Sequence, residues 1–251
     1  MNYNKSWEFF IKESIYLEDM KRFVENSKDI CPTKENVFRF LNSNFNDIKC
    51  IILGMDPYPS TYNKNDKIFP VATGRAFEVA NIDYFTDKYK QVSLANIFKA
   101  LFVYKIQIDG KSSISGTKQT NVKGLEKLAN PTMDDLRFYF KDVDKEELNI
   151  HKWFDNMERQ GVLFLNSTLT TKIGKAGAHI NIWKDFMDEL IKYINKHLNC
   201  HWLIWGDKAL NRVKDIVNDK NIIYSCHPAS RVNNNFVEDC CFKKVKEITW
   251  F

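Results

Sequence analysis

Four side chains able to do chemistry each stand just beyond a short apolar run. Residues 51–60 read IILGMDPYPS, so a carboxylate, Asp56, and an aromatic ring, Tyr58, follow the run at once, set between Met55, Pro57 and Pro59. Asn166 closes the run at residues 161–165, and His227 follows residues 222–224 in Cys226-His227-Pro228. The first run delivers an acid and a ring to a loop stiffened by prolines. An amide at the end of the second both donates and accepts, and a neutral imidazole after the last donates if its tautomer is held. Each type also has an ordinary reading: an acid after a strand caps a helix, an asparagine forms a turn, a lone histidine sits in a core or on a surface.

The runs themselves predict what positions these groups. Residues 50–53, 162–165, 202–205 and 222–224 are short, rich in branched side chains and separated by helical patterns. Strands buried on both faces read in this way. An α/β fold follows, a three-layer arrangement of a four-stranded parallel sheet with helices on both faces. The chemical residues then fall past the carboxyl ends of strands, where open α/β sheets hold their ligands. Residues 7–42 place Phe9, Phe10, Ile15, Phe23, Val24, Val37, Phe40 and Leu41 at helical spacing around Pro32, predicting two or three helices on one sheet face. Within residues 102–148, Gly110, Ser112, Ser113, Ser115 and Gly116 predict a loop and residues 133–140 a helix. We read that segment as an insertion into a single domain spanning residues 1–251, with residues 1–48 as its N-terminal helices.

A chain of 251 residues with 44% hydrophobic content has enough apolar mass for one sizeable core. Lys and Arg number 37 against 32 acids, and a net charge of +5 permits a polyanionic partner without demanding one. The six cysteines include the adjacent pair Cys240-Cys241 and no CxxC, which disfavours a disulfide framework, a structural metal and an iron–sulfur cluster. No cofactor or metal is expected, and the compartment is read as reducing. The first 17 residues lack a long apolar stretch, so a soluble, cytoplasmic protein without membrane attachment is expected. No G-x-G-x-x-G follows the first strand, which argues against a nucleotide-cofactor enzyme.

The block at residues 51–60 is followed in order by GRAFEVA (74–80), GVLFLNSTLT (161–170), HWLIWGDKA (201–209) and CHPASR (226–231). Together these blocks resemble the uracil-DNA glycosylase family of the GQDPYH type, over about residues 49–250. SLANIFKAL (93–101) resembles the helix after the family's DNA-contacting serine, and Thr249-Trp250 its closing strand and tryptophan. The resemblance implies a monofunctional hydrolase that flips uracil out of DNA, cuts its N-glycosidic bond and leaves an abasic site. It implies that Asp56 stabilises the oxocarbenium-like sugar and orients or deprotonates water. His227 would hydrogen-bond uracil O2, and Asn166 would read O4 and the N3 proton. Phe77 would stack on the extruded base, and Tyr58 would exclude the thymine methyl. Ser93, Ser225 and Ser230 would contact phosphates, with Lys172, Lys175 and Arg231 supplying nearby cations. The implied partners are uracil-containing DNA, single- or double-stranded, and a proteinaceous inhibitor at the same face, with the protein itself a monomer.

The family's Gln-Asp-Pro-Tyr-His is here Met55-Asp56-Pro57-Tyr58-Pro59, and Arg231 replaces the leucine that wedges into the vacated stack. Met55 retains only its backbone amide for the base, and Pro59 neither donates nor titrates, so slower turnover is expected. An arginine fills a vacated stack with its planar guanidinium. Poxvirus glycosylases are similar at both departures. The alternative function is therefore a catalytically weak, glycosylase-fold DNA-binding or replication scaffold. Retention of Asp56, Tyr58, Phe77, Asn166 and His227 together favours the enzyme.

Overall fold

The computed structural model describes residues 3–88, 90–109, 131–231 and 235–251. Its strands are β1 (Ile30–Cys31), β2 (Cys50–Gly54), β3 (Thr61–Lys64), β4 (Lys67–Pro70), β5 (Val162–Asn166), β6 (Thr171–Lys172), β7 (His201–Trp205) and β8 (Ile222–Ser225). Its helices are α1 (Glu8–Glu13), α2 (Leu17–Asn26), α3 (Val92–Asp109), α4 (Met133–Tyr139), α5 (Ile150–Arg159), α6 (Ile180–His197), α7 (Asp207–Val213) and α8 (Phe236–Asp239). The four apolar runs are the four strands of one parallel sheet in the order β5-β2-β7-β8.

Alternation along these strands feeds two separate cores. Cys50, Ile52, Val162, Phe164, Leu203 and Trp205 face the layer of α3, α4, α5 and α8. Ile51, Leu53, Leu163, Leu165, Trp202 and Ile204 face α1, α2, α6 and α7. β2, β5 and β7 have both faces covered, which makes their segments nearly continuously hydrophobic, whereas the edge strand β8 is only half-buried. Helix α6 buries Trp183, Phe186, Met187, Leu190, Ile191 and Ile194, the three-to-four spacing of one helical stripe. Helix α5 starts where the Asn149 side chain accepts from Lys152 N at 3.0 Å.

The N-terminal helices are two rather than three. After α2, residues fold into 3-10 turns at Lys34–Asn36, Arg39–Asn42 and Phe45–Asp47. Phe9 and Ile15 do not belong to the core: they are 73% and 74% exposed, and Trp7, Phe10, Leu17 and Val24 form the buried stripe. Residues 249–250 form no strand; Trp250 is held inward by its Nε1 donating to Val245 O at 3.3 Å and by ring contact with Phe242 at 4.8 Å. The loop glycines and serines Gly110, Ser112, Ser113, Ser115 and Gly116 lie outside the described residues. On either side of them, α3 runs on past Phe102, whose buried ring meets Tyr139 and Phe140 at 5.0 and 5.7 Å. The expected helix at 133–140 is α4, opened by a capping box between Thr132 and Asp135.

Two small antiparallel pairs were not expected. β1 pairs with β6, and β3 with β4 in a hairpin turned by Asn65 and Asp66, both at positive φ (52° and 59°). Two consecutive left-handed residues fit the tight turn of a two-residue hairpin.

Candidate active site

Strand β2 has β5 on one side and β7 on the other, so the chain changes direction around its carboxyl end. A cleft of about 220 Å³ opens there, lined by Gly54, Met55, Asp56, Pro57, Tyr58, Pro59, Phe77, Ser93, Asn166, Trp205 and His227 among others. It is smaller than a pocket for a drug-sized ligand and suits one planar ring.

Asn166 is 3% exposed and sits in register with Gly54 across the β2–β5 ladder. A side chain on Gly54 would meet Asn166 Oδ1 at 2.4 Å and Ala76 Cβ at 2.9 Å, so only glycine lets the amide lie across the strand end. The Asp56 carboxylate accepts from Thr168 Oγ1 at 2.7 Å through Oδ1. Thr168 also donates its backbone N–H to Met55 O at 3.0 Å, so the same residue pins both the loop and its acid. The Met55 side chain packs toward the apolar core and approaches Ser167 Oγ through sulfur. Pro59 O accepts from Gly174 N at 2.8 Å.

The His227 ring accepts from Ala229 N at Nδ1, 3.1 Å away. A nitrogen that accepts carries a lone pair, so the ring proton of the neutral form resides on Nε2. Burial, with the Lys208 charge adding to it, holds the His227 pKa below the usual imidazole value. Gly206, at φ 90°, lets this loop close down: a Cβ there would lie 2.8 Å from His227 Cβ. From the other side, Asn96 Nδ2 on α3 donates to Pro228 O at 2.6 Å.

The Phe77 ring lies 5.1 Å from the Trp205 ring at 50°, and Phe77 itself has φ 67°. Tyr58 has a buried hydroxyl with no hydrogen-bond partner among the described residues, and burial pushes its pKa up. Ser93 lines the same cleft near the start of α3. Ser230 donates its backbone N–H to His227 O at 2.9 Å, and Arg231 beside it is exposed. Lys172, the last residue of β6, and Lys175, in the turn after it, are exposed. Ser225 is 2% exposed, and its hydroxyl donates to Asp239 Oδ2 at 3.2 Å.

Thr168 and Trp205 were not singled out from the sequence, although both stand in the quoted blocks: Thr168 two residues after Asn166, Trp205 at the end of an apolar run. Thr168→Val is expected to lower kcat roughly tenfold with little change in KM, since it frees the acid to rotate without removing its charge. An unchanged kcat in steady-state assays of uracil release would show that Asp56 is held by other contacts. Among the described residues, no group of three or more His, Cys, Asp or Glu side chains could hold a metal ion, and no helix is long and apolar enough to cross a membrane.

The uracil-DNA glycosylase of Christiangramia forsetii is 30% identical to this chain over 233 residues, covering 90% of this chain and 81% of that one. The chain belongs to the uracil-DNA glycosylase family. The uracil-DNA glycosylase of Mycoplasmopsis pulmonis is 29% identical over 261 residues, covering 99% of this chain and 94% of its own length. Among solved structures, mimivirus uracil-DNA glycosylase superposes with a TM-score of 0.61 at 22% identity, covering 90% of this chain and 69% of the viral one. The UNG of Nitratifractor salsuginis gives 0.63 at 16% identity, covering 96% and 90%. At these identities the structures speak for the glycosylase fold alone. Two variants of the mimivirus protein were solved in complex with UGI. No family model matches the chain.

Proposed function

We propose that this uracil-DNA glycosylase family member excises uracil from DNA by hydrolysis, with the cleft at the end of β2 as its active site. The observation that carries the residue assignments is the meeting of Asp56, Tyr58, Phe77, Asn166 and His227, from four separate sequence blocks, around one ring-sized cleft.

In this reading the base leaves the stack and enters between Phe77 and the strand ends. Asn166 donates to O4 and accepts from N3–H, the pattern that separates uracil from cytosine. Tyr58 fills the space beside C5, and the Met55 backbone amide meets the base. As the bond between C1′ and N1 breaks, positive charge spreads over the sugar and negative charge over the base. Asp56, charged and fixed by Thr168, stabilises the first and orients water for attack at C1′. The His227 Nε2–H donates to O2 and stabilises the second. Water adds to C1′ and loses a proton, the base gains one at N1, and free uracil and an abasic site remain. Ser93, Ser230 and Arg231 grip the flanking phosphates, and the Arg231 guanidinium fills the vacated stack. The poxvirus-like departures at Pro59 and Arg231 fit an enzyme of modest turnover. The protein acts as a monomer, and a protein inhibitor would bind across the mouth of this cleft.

The direct test incubates the protein with matched oligonucleotides containing uracil or thymine, in chelator, and cleaves abasic sites with alkali. Uracil-only cleavage is expected; DNA binding without cleavage would favour the scaffold instead. Tyr58→Ala is expected to permit measurable thymine release while uracil release falls, and strict refusal of thymine by that variant would move the methyl barrier elsewhere. One methyl in an apolar pocket discriminates by roughly 10- to 200-fold, which sets the size of the gain.

A further inference from the structure

Five charged side chains and a histidine crowd beneath the turn that carries Phe77, away from the reacting atoms. Arg75 and Glu78 bracket the ring in sequence and are 5% and 2% exposed. Arg75 donates to Glu78 Oε1 at 3.1 Å through Nη1, and through Nη2 to Asp155 Oδ1 and Glu158 Oε2, each at 2.5 Å. Glu78 also accepts from Thr73 Oγ1 at 2.5 Å and meets His151 Nδ1 at 2.9 Å. Arg39 closes the group, 3.9 Å from Glu78 and donating to Thr73 O at 3.3 Å.

A buried ion cluster is a weak device for stability, because desolvation consumes much of the attraction. It is an effective device for fixing one geometry. The turn it grips needs that: Phe77 sits at φ 67°, in the left-handed region that a bulky residue adopts only when its surroundings over-determine it. Asp155 and Glu158 belong to α5, one helical turn apart, so the guanidinium ties the Phe77 turn to a rigid element of the main core.

We propose that Arg75 and Glu78 are positioning residues for base stacking: with Asp155, Glu158 and His151 they hold the Phe77 turn in the one conformation that presents its ring to the extruded base. The proposal rests on the uracil-excision reading above and deepens it, since neither residue touches the cleft.

The test is a double-mutant cycle in the full chain, read as KM for a single-stranded uracil oligonucleotide and as the inhibition constant of free uracil. Phe77→Ala is expected to weaken both about tenfold, the size of one lost base–aromatic stack. Glu78→Gln is expected to do nearly the same with a smaller change in kcat, and the double variant to be no worse than Phe77→Ala alone. If Glu78→Gln leaves uracil affinity unchanged, or if its loss multiplies with that of Phe77→Ala, the positioning role is overturned. An inert Phe77→Ala overturns it as well. Should Glu78→Gln fail to fold, Glu158→Gln removes one partner of Arg75 from a less buried position and enters the same cycle. Asp56→Asn separates the two levels. If that variant still cleaves at the wild-type rate, the assignment of the active site falls; if it is inactive while the cycle is additive, only the positioning role does.

Discussion

Asp56→Asn is expected to lower kcat for uracil release by roughly 10³-fold while DNA affinity changes little. The substitution keeps shape, and its amide oxygen still accepts from Thr168, whose hydroxyl lies 2.7 Å from Oδ1 in the native protein. What is lost is the negative charge opposite the developing sugar cation and the base that receives the water proton, each worth roughly 10²- to 10⁴-fold in enzymes that use them. Single-turnover cleavage of a labelled uracil oligonucleotide measures it, beside a binding isotherm on uncut DNA. A variant within about tenfold of wild type would mean that another group carries the charge.

His227→Leu is expected to cost roughly 10²- to 10³-fold in kcat, the usual loss when one donor to a developing anion is removed. The Ala229 N–H occupies Nδ1, so the donating proton is committed to Nε2, and protonating the ring would break that bond. The lowered pKa of His227 fixes the sign of two pH effects. The ring stays neutral in the folded protein where an unfolded chain already takes up a proton. The acid limb of kcat due to this group therefore lies below about pH 6.5. The stability it contributes is present at neutral pH and is lost as pH falls from about 6.5 toward the folded pKa. His227→Leu should remove that limb from the pH profile and flatten thermal stability over the same window. A limb that persists unchanged in the variant would assign it to a different group.

The sheet was readable because β2, β5 and β7 are buried on both faces, and two-sided burial leaves an unbroken apolar run that needs no partner to be seen; the edge strand β8, with Tyr224 exposed, still begins on two isoleucines. Asp56, Asn166 and His227 were readable for the same reason: each stands where such a run stops. The rest depended on contacts distant in sequence. The Arg75 cluster draws on positions 39, 73, 75, 78, 151, 155 and 158, and nothing local distinguishes His151 from a solvated histidine. Ser225 reads as the end of a strand; only the packing of α8 shows that its hydroxyl is buried and donates to Asp239. Phe9 and Ile15 fit a helical stripe by type, yet α1 is six residues long and turns Phe10 inward instead. The β3–β4 hairpin did leave a signal, Asn65-Asp66 between two runs containing aromatic residues, but without the glycine that usually marks such a turn.

That hairpin is rooted at the rim of the cleft: Val71 N donates to Ser60 O at 2.9 Å, one residue beyond the cleft-lining Pro59. The bond closes the base of the excursion, so what lies past it can lengthen, shorten or change side chains without moving Pro59 or the turn that follows. A ribbon anchored in this way is a place where binding surface can be added or removed independently of the strand ends that line the cleft.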